Sequence, residues 1–278
     1  MIEAKIVADS VSAAGKRITT FVLTYPRFIL AELNTHRAFS RNSASSRAIP
    51  ARKIRASVRD NPGLPVFWGS NRPGMQAGEE LRGIRKWMAV VVWSLSMYLM
   101  LFMNWVLEKV GLHKQISNRI LEPFFTMTTV VTATEWDNFY ALRNHPDAQP
   151  EIRDLAVAML TAHNASRPQK VFVGEWHLPF VSLVEEFNLG TENAIKVSVA
   201  RCARVSYMNH ENKRSSLEED LKMYERLIGR TLKHSSPAEH QATPAGHPRF
   251  QSGNLVGWTQ YRKTLENETV SNYKGLKK

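Results

Sequence analysis

Hydrophobic and polar positions alternate with a period of two over residues 2–7 and 18–25, where β-branched side chains dominate. This predicts two strands, joined as a hairpin through Ala13-Ala14-Gly15-Lys16. Pro26 then opens a helix whose apolar face is Phe28, Ile29, Leu30 and Leu33, which delivers Glu32, His36 and Arg37 to its far end. Pro50 starts a basic helix running to about Arg59, Asn61-Pro62-Gly63 ends it, and a Pro/Gly-rich loop continues to Gly78. Residues 87–107 carry no charge and predict one long helix closed by Gly111. A short helix over 115–121 is stopped by Pro123. A β-branched, aromatic strand is predicted over 124–132, then helices over 135–143 and 150–163, the latter burying Ile152, Leu155, Ala156 and Leu160. Residues 164–189 read as irregular and 194–207 as a helix. Ser216-Leu217-Glu218-Glu219 is a capping box for a helix with the stripe Leu217, Leu221, Tyr224, Leu227 and Ile228, terminated by Gly229. Residues 258–263 predict a last short helix. The pattern describes an α+β chain, a mixed or antiparallel sheet packed with helices, without internal repeats; its length suits one large domain or two small ones, and a single domain over 1–278 is the expectation.

The apolar run is the one segment with two readings. Residues 87–107 are long enough to cross a bilayer and are flanked by Arg82, Arg85 and Lys86 before and Lys109 after, which describes a single-pass membrane protein. Ser94, Ser96 and Asn104 dilute the run, and no other segment resembles it. The favoured expectation is a long helix buried on all sides at an oligomer core, with no membrane.

Lys+Arg of 37 against Asp+Glu of 25 gives a net charge of +12, which favours anionic partners: nucleotides, nucleic acid or a membrane surface. The single cysteine, Cys202, excludes an internal disulfide framework and a multi-cysteine zinc site, fits a reducing cytosol, and in its helical run reads as a small buried residue. A cytoplasmic location is expected, because the N-terminus alternates like a strand and carries charge instead of a secretory signal. No metal is expected either. His234 and His240 lack metal-ligand spacing, and Pro237 breaks any helix between them.

Chemistry concentrates in Thr35 to Arg47, where thirteen positions hold three arginines, four serines, one histidine and one asparagine, with Phe39 the only large apolar side chain. Such a composition excludes a core element and describes an anion cradle, since guanidinium groups bind phosphates bidentately and hydroxyls complete the shell. The alternative is a solvated basic turn. The spacing His36-Arg37-x-x-Ser40-x-Asn42-x-x-Ser45-x-Arg47 resembles the signature of flavin-dependent thymidylate synthases, Arg-His-Arg-x-x-Ser-x-Asn-Glu-x-Ser-x-Arg-Tyr. Thr35, Ser43 and Ala48 depart from it, in place of Arg, Glu and Tyr. Further blocks carry the same resemblance. Ala203-Arg204-Val205-Ser206-Tyr207 and His234-x-Ser236-Pro237-Ala238-Glu239-His240 resemble Ala-Arg-Val-Ser-(Tyr/Phe) and His-x-(Ser/Thr)-Pro-Phe-Glu-His. Arg119-Ile120-Leu121-Glu122-Pro123 resembles Arg-x-x-Leu-Pro. Asn138 to Arg143, followed by Ala148-Gln149-x-Glu151-Ile152-Arg153, resembles Asn-Phe-(Leu)-x-Leu-Arg…Ala-Gln-x-Glu-Ile-Arg.

In the usual family member the Ala-Arg-Val-Ser and His-x-Ser-Pro blocks come first; here they come last, the order a circular permutation produces. The resemblance implies reductive methylation of dUMP to dTMP by methylene-tetrahydrofolate and reduced FAD, with NADPH as reductant, in a homotetramer. It implies dUMP binding by Glu32, Ser45, Ser46, Arg47, Arg119 and Arg143, with Ser45 and Arg47 from one subunit and Arg119 from another. It places His36, Arg37, Asn138, Ser206, His234, Ser236 and Glu239 around FAD, and gives Arg143 and His234 the catalytic roles. Trp258, Gln260, Tyr261 and Arg262 have two readings, refilling part of the space left by the departures or, the favoured expectation, forming a C-terminal helix that simply packs on the core. Two other functions stay open: a basic nucleic-acid-binding protein with no catalysis, and a family member whose activity is altered by Thr35 and Ser43.

Overall fold

The computed structural model describes residues 2–205 and 215–270. Strands β1 (Glu3–Ser12) and β2 (Arg17–Pro26) form the predicted hairpin, each longer than the alternation alone required. The turn between them passes through Gly15 at φ +78°, a conformation an L side chain resists. After a 3₁₀ turn comes the short helix α1 (Leu30–Asn34), then β3 (Ser40–Ser43) and the basic helix α2 (Ala51–Asp60). The apolar run is α3 (Gly83–Lys109), followed by α4 (Lys114–Ser117) and a 3₁₀ turn containing Pro123. Next are β4 (Thr126–Ala133), α5 (Asp137–Arg143) and α6 (Pro150–Ala165). The region read as irregular contains β5 (Gln169–Val171) and the capped helix α7 (Leu183–Leu189). Helices α8 (Thr191–Arg204) and α9 (Leu217–Ile228) follow, the second opened by the predicted Ser216/Glu219 capping box. Leu217, placed on the buried stripe by periodicity, is exposed, and Asp220 is buried in its stead. The chain then forms β6 (Ala242–Pro244), the hairpin β7 (Gln251–Ser252) and β8 (Leu255–Val256), and β9 (Trp258–Gln260). The predicted terminal helix is therefore half strand, because Trp258 and Gln260 are buried on one side of an extended segment, the period-two arrangement.

The main sheet has the order β3-β4-β2-β1-β5, antiparallel throughout except for the β1–β5 pair. Its two faces differ in chemistry. Phe21, Leu23 and Tyr25 of β2 and Met127, Val131 and Ala133 of β4 share one face, packed with Ile29 and Leu33, with Ile54 and Val58 of α2, and with Ile152, Leu155, Ala156 and Met159 of α6. The opposite face is rich in threonine. There a buried polar line crosses the strands: Ser10 Oγ to His177 Nδ1 at 2.8 Å, His177 Nε2 to Thr20 Oγ1 at 2.8 Å, Thr20 to Thr132 at 2.7 Å, and Thr132 to His240 Nδ1 at 2.8 Å. Threonine suits this place, being a good strand former whose hydroxyl stays satisfied only if another polar group covers it. The C-terminal third supplies the cover.

Helix α3 is not buried on all sides within the chain. Met97 and Asn104 are buried and Trp93, Met100 and Leu101 lean on the core, while Trp87 is 60 % exposed, Val92 61 % and Leu95 62 %. One stripe packs and the rest faces outward. It is the one described helix with the length and composition to cross a membrane. Yet β2 and β3 precede it and β4 follows it in the same sheet, so the chain does not change sides of a bilayer at α3.

Burial pushes the His177 and His240 imidazoles down to about 3, and for His240 the nearby His177 adds to the effect. Both are neutral in the fold at pH 7. An unfolded chain takes up protons on these rings near pH 6.5, which the folded chain refuses until far lower pH, so acid favours unfolding across that window. Stability is expected to be flat above pH 7 and to fall as pH drops below about 6.5, by up to about 1.4 kcal/mol per pH unit for each ring. Urea midpoints from pH 8 to pH 4.5 check this, and a pH-independent midpoint contradicts it.

Candidate active site

Pro26 and the 3₁₀ turn after it carry the chain off the sheet into α1, and the cradle begins where α1 ends. Arg41 makes that junction. Its Nη1 donates to the carbonyls of Leu33 (3.1 Å), Asn34 (3.1 Å) and His36 (3.0 Å), closing the open end of the helix with a cation. The cradle's middle then becomes β3, paired to β4 from Ser40↔Thr132 to Ser43↔Thr129. Composition excluded a core element here, but Ser40 is fully buried and Asn42 nearly so. Hydrogen bonds compensate their polarity: Asn42 Nδ2 donates to the Cys202 carbonyl at 2.9 Å, and Ser40 Oγ donates to Asn254 Oδ1 at 3.0 Å. Ser43, at the position of the pattern's Glu, accepts from Thr129 Oγ1 at 3.0 Å, and Thr129 in turn meets the Tyr25 hydroxyl at 2.7 Å.

At the near end of the cradle is a pocket of about 240 Å³ lined by Thr35, His36, Arg37, Asn138 and Arg143, among others. Residues on either side of α3 in sequence thus share one cavity. Arg143 is oriented by two acceptors: Nε donates to His36 Nε2 at 2.9 Å and Nη2 to Thr35 Oγ1 at 3.2 Å. Since guanidinium only donates, His36 carries its proton on Nδ1. Burial, with the cations of Arg143 and Arg41, pushes His36 down to about 4, so it stays a neutral acceptor. Its ring lies edge-on to Phe139 at 4.9 Å and stacks with Phe39 at 5.7 Å. Arg37 and Asn138 are exposed and have no hydrogen-bond or ion-pair partner among the described residues.

The far end of the cradle is fixed by Asn118, whose Nδ2 donates to the carbonyls of Ser46 (2.8 Å) and Ile49 (2.9 Å). Beside it Glu122 gathers three partners: Ser46 Oγ at 2.5 Å, Arg119 at 2.8 Å and Arg27 at 3.0 Å. Burial pushes its carboxyl up, but these three donors outweigh that and hold it below the usual range. Glu122 thus holds Arg119 and Ser46 of one chain on one carboxylate, whereas the resemblance has Arg119 joining Ser45 and Arg47 from another subunit. Arg47 is exposed, and neither it nor the Ser45 hydroxyl has a partner among the described residues. Glu32 is half-buried with Oε2 unpartnered.

The third group lies along β3. Ser236 Oγ donates to Asn42 Oδ1 at 3.3 Å, and Glu239 forms an ion pair with Arg262, which also binds Glu268. His234 is exposed and does not line the pocket; its amide donates to the Leu227 carbonyl at 2.8 Å, which turns the chain after α9. His240 is buried elsewhere, in the polar line. Ser206 lies outside the described residues. A larger cavity, about 530 Å³, opens at the other edge of the sheet beside Arg201 and Arg204. Both arginines bind the buried Asp220, at 3.1 and 2.9 Å, so Arg204 of the Ala-Arg-Val-Ser block ties α8 to α9. Sequence reasoning missed Arg41 and Glu122. Arg41 falls on an unspecified position of the signature and leaves no trace there, whereas Glu122 is a charge where the pattern has leucine, which is a readable signal.

Residues 16–169 match the family described as thymidylate synthase complementing protein (Thy1). The chain belongs to this family, the flavin-dependent thymidylate synthases. A comparison with curated proteins returned no match. Two crystal structures of a UMP/dUMP methylase, PolB from Streptomyces cacaoi, are similar at 18 % identity over 59 % of this chain. The one bound with 5-Br dUMP has a TM-score of 0.44 and is covered over 90 % of its length. The one bound with 5-Br UMP has a TM-score of 0.48 and is covered over 88 %.

Removing Arg41 frees three carbonyls at the end of α1. Arg41→Ala is expected to lower stability by about 2–3 kcal/mol, read from urea unfolding. A loss below about 0.5 kcal/mol, the range of an ordinary surface substitution, contradicts its capping role.

Proposed function

We propose that the protein methylates dUMP to dTMP reductively, taking the carbon from methylene-tetrahydrofolate, with FAD as cofactor and NADPH as the source of reducing equivalents. The observation that carries this is the convergence on one pocket of family-motif residues from either side of α3, Thr35, His36 and Arg37 with Asn138 and Arg143, beside which Arg37 and one nitrogen of Arg143 are left without partners among the described residues, whereas several arginines elsewhere are engaged. Arg17, Arg27, Arg41, Arg55, Arg201, Arg204 and Arg262 all bind acceptors within the chain.

The pocket fits a planar, hydrogen-bonding ring. Its floor is aromatic, and Arg37, Asn138 and Arg143 offer donors at its walls. His36, Arg37 and Asn138, with Ser236 and Glu239 farther along β3, would hold FAD, which when bound and reduced by NADPH would supply the hydride. Ser206 and His234 complete the flavin set in this reading, with His234 reaching it from another subunit. Arg47, Ser45 and Arg119 hold the nucleotide phosphate, with Ser46 and Glu122 fixing Arg119 for that task. Arg143, steered by His36 and Thr35, keeps Nη1 free to donate to a uracil carbonyl, where negative charge grows as the methyl carbon is added. Glu32 offers its unpartnered Oε2 to a donor on the nucleotide. No cysteine nucleophile is required, in keeping with Cys202, whose thiol is fully buried and pushed up by that burial.

In this reading the chain is a single domain with permuted block order and works in the cytoplasm as a homotetramer, with α3 covered by other copies. Exposed apolar surface of that extent marks an interface. Light scattering is expected to give four times the 31.6 kDa of one chain, and Leu95→Glu with Val92→Glu is expected to lower that mass. A monodisperse monomer, or recovery only with detergent, contradicts it.

Purified protein is expected to bind FAD, with a spectral shift on adding dUMP, and to release dTMP when methylene-tetrahydrofolate and NADPH are present. Arg47→Ala and Arg143→Ala are each expected to lower kcat/KM by roughly 10- to 100-fold, the worth of a charge-assisted hydrogen bond. Flavin binding without turnover identifies an altered family member, and absence of both flavin and dUMP binding refutes the assignment.

A further inference from the structure

Residues 251–260 lie beyond the stretch that matches the family, yet they hold both walls of the pocket. One wall is the cradle's start. Asn254 Nδ2 donates to the carbonyl of Ala38, which lines the pocket, at 3.1 Å. Asn254 Oδ1 accepts from Ser40 Oγ and from Gln260 Nε2, both at 3.0 Å. Gln260, almost fully buried, also donates to Ser40 Oγ and to the Glu239 carbonyl, each at 3.2 Å. Both ends of the Asn254 amide are thus used, which fixes its orientation. Gly253 permits the approach: at φ +60° a Cβ there would meet Gln260 Oε1 at 2.5 Å.

The second wall is the start of α5. The Val256 amide donates to Thr134 Oγ1 at 3.0 Å, one residue before Glu135, which lines the pocket. Glu135 is ion-paired with Lys16, and the Lys16 carbonyl accepts from Nε1 of the fully buried Trp258 at 3.2 Å. Gly257, at φ +77°, lets the hairpin lie on the Lys16 side chain, where a Cβ would come within 2.8 Å of Cγ. One short hairpin therefore spans the gap between the two walls.

We propose that Asn254 and Gln260 are positioning residues for the pocket: the C-terminal hairpin sets the separation of its walls and thereby the affinity for the flavin and nucleotide. This rests on the reading of the pocket as the flavin–nucleotide site. Asn254→Ala removes every bond of the amide; Asn254→Asp keeps the acceptor and the shape but cannot donate to Ala38, and so stands in if the alanine variant folds poorly. Hydrogen–deuterium exchange of the full chain without ligand tests the brace itself. Amides over 36–41 and 134–138 are expected to exchange about tenfold faster in both variants, while those of α6 are unchanged. Titration with FAD and steady-state kinetics then test its consequence: the FAD dissociation constant and the KM for dUMP rise about tenfold, with kcat at saturation within about threefold of wild type. Unaltered exchange in both walls overturns the brace even if the wild type binds no flavin, an outcome that separately overturns the functional reading. Equal losses in kcat and thermal stability with no change in KM assign the hairpin a purely structural part and also overturn the proposal.

Discussion

Everything at the site depends on four residues of the cradle being a strand. Pairing Ser40–Ser43 to β4 turns a polar, serine-rich segment into the edge of a five-stranded sheet. It fixes where the loops on either side emerge. Without it, the His36 end and the Ser46 end would be joined by a solvated loop, and Arg143 and Arg119 would have nothing constant to face. The pairing puts Ser40 and Asn42 in the interior, and their hydrogen-bonding capacity has to be met there. The groups that meet it, Asn254 and the Cys202 carbonyl, come from the far end of the chain. Cradle and C-terminal third consequently stabilise one another.

Much of this was legible in the sequence where a local rule governs. The hairpin, the long apolar helix, the capping box at Ser216 and most of the buried face of α6, where Met159 is buried in place of the expected Leu160, follow from period and cap chemistry, which involve residues within a few positions of one another. The cradle was legible as a family motif, and Thr35, His36, Arg37, Asn138 and Arg143 do line one pocket. What was not legible depends on tertiary context. Nothing local distinguishes a buried serine from an exposed one, so β3 was invisible. Asp220 interrupts an apolar stripe because two arginines of another helix need it, and Leu217 is exposed for lack of a neighbour. His234, assigned to the flavin by motif, is exposed and does not line the pocket in the single chain.

The sheet's two faces are closed by different parts of the chain. One face is closed by helices drawn from residues 27–165 and needs no further cover. The other is closed by segments after residue 170, through hydroxyl and imidazole bonds beside a small apolar cluster of Ile18, Val171, Ala242, Leu255 and Trp258. A polar interface of this kind specifies register strongly, because a one-residue slip of β2 against β4 would turn Thr20 and Thr132 away from their histidines and carry Phe21 and Val131 onto the wrong face.

The same polar line has a consequence for the time course of folding. Thr20 meets Thr132 across 112 positions, Thr132 meets His240 across 108, and Ser10 meets His177 across 167. Closing such distant contacts costs loop entropy before any reward arrives, which places them late on the folding path. During synthesis, β2 has no partner on its inner side until residue 133 has left the ribosome, and the threonine face stays uncovered until residue 240 follows. For that interval the nascent chain exposes an unpaired strand and an apolar helix together, the combination that makes partly folded proteins associate wrongly. The protein's yield on refolding should therefore depend on concentration far more than its finished stability does.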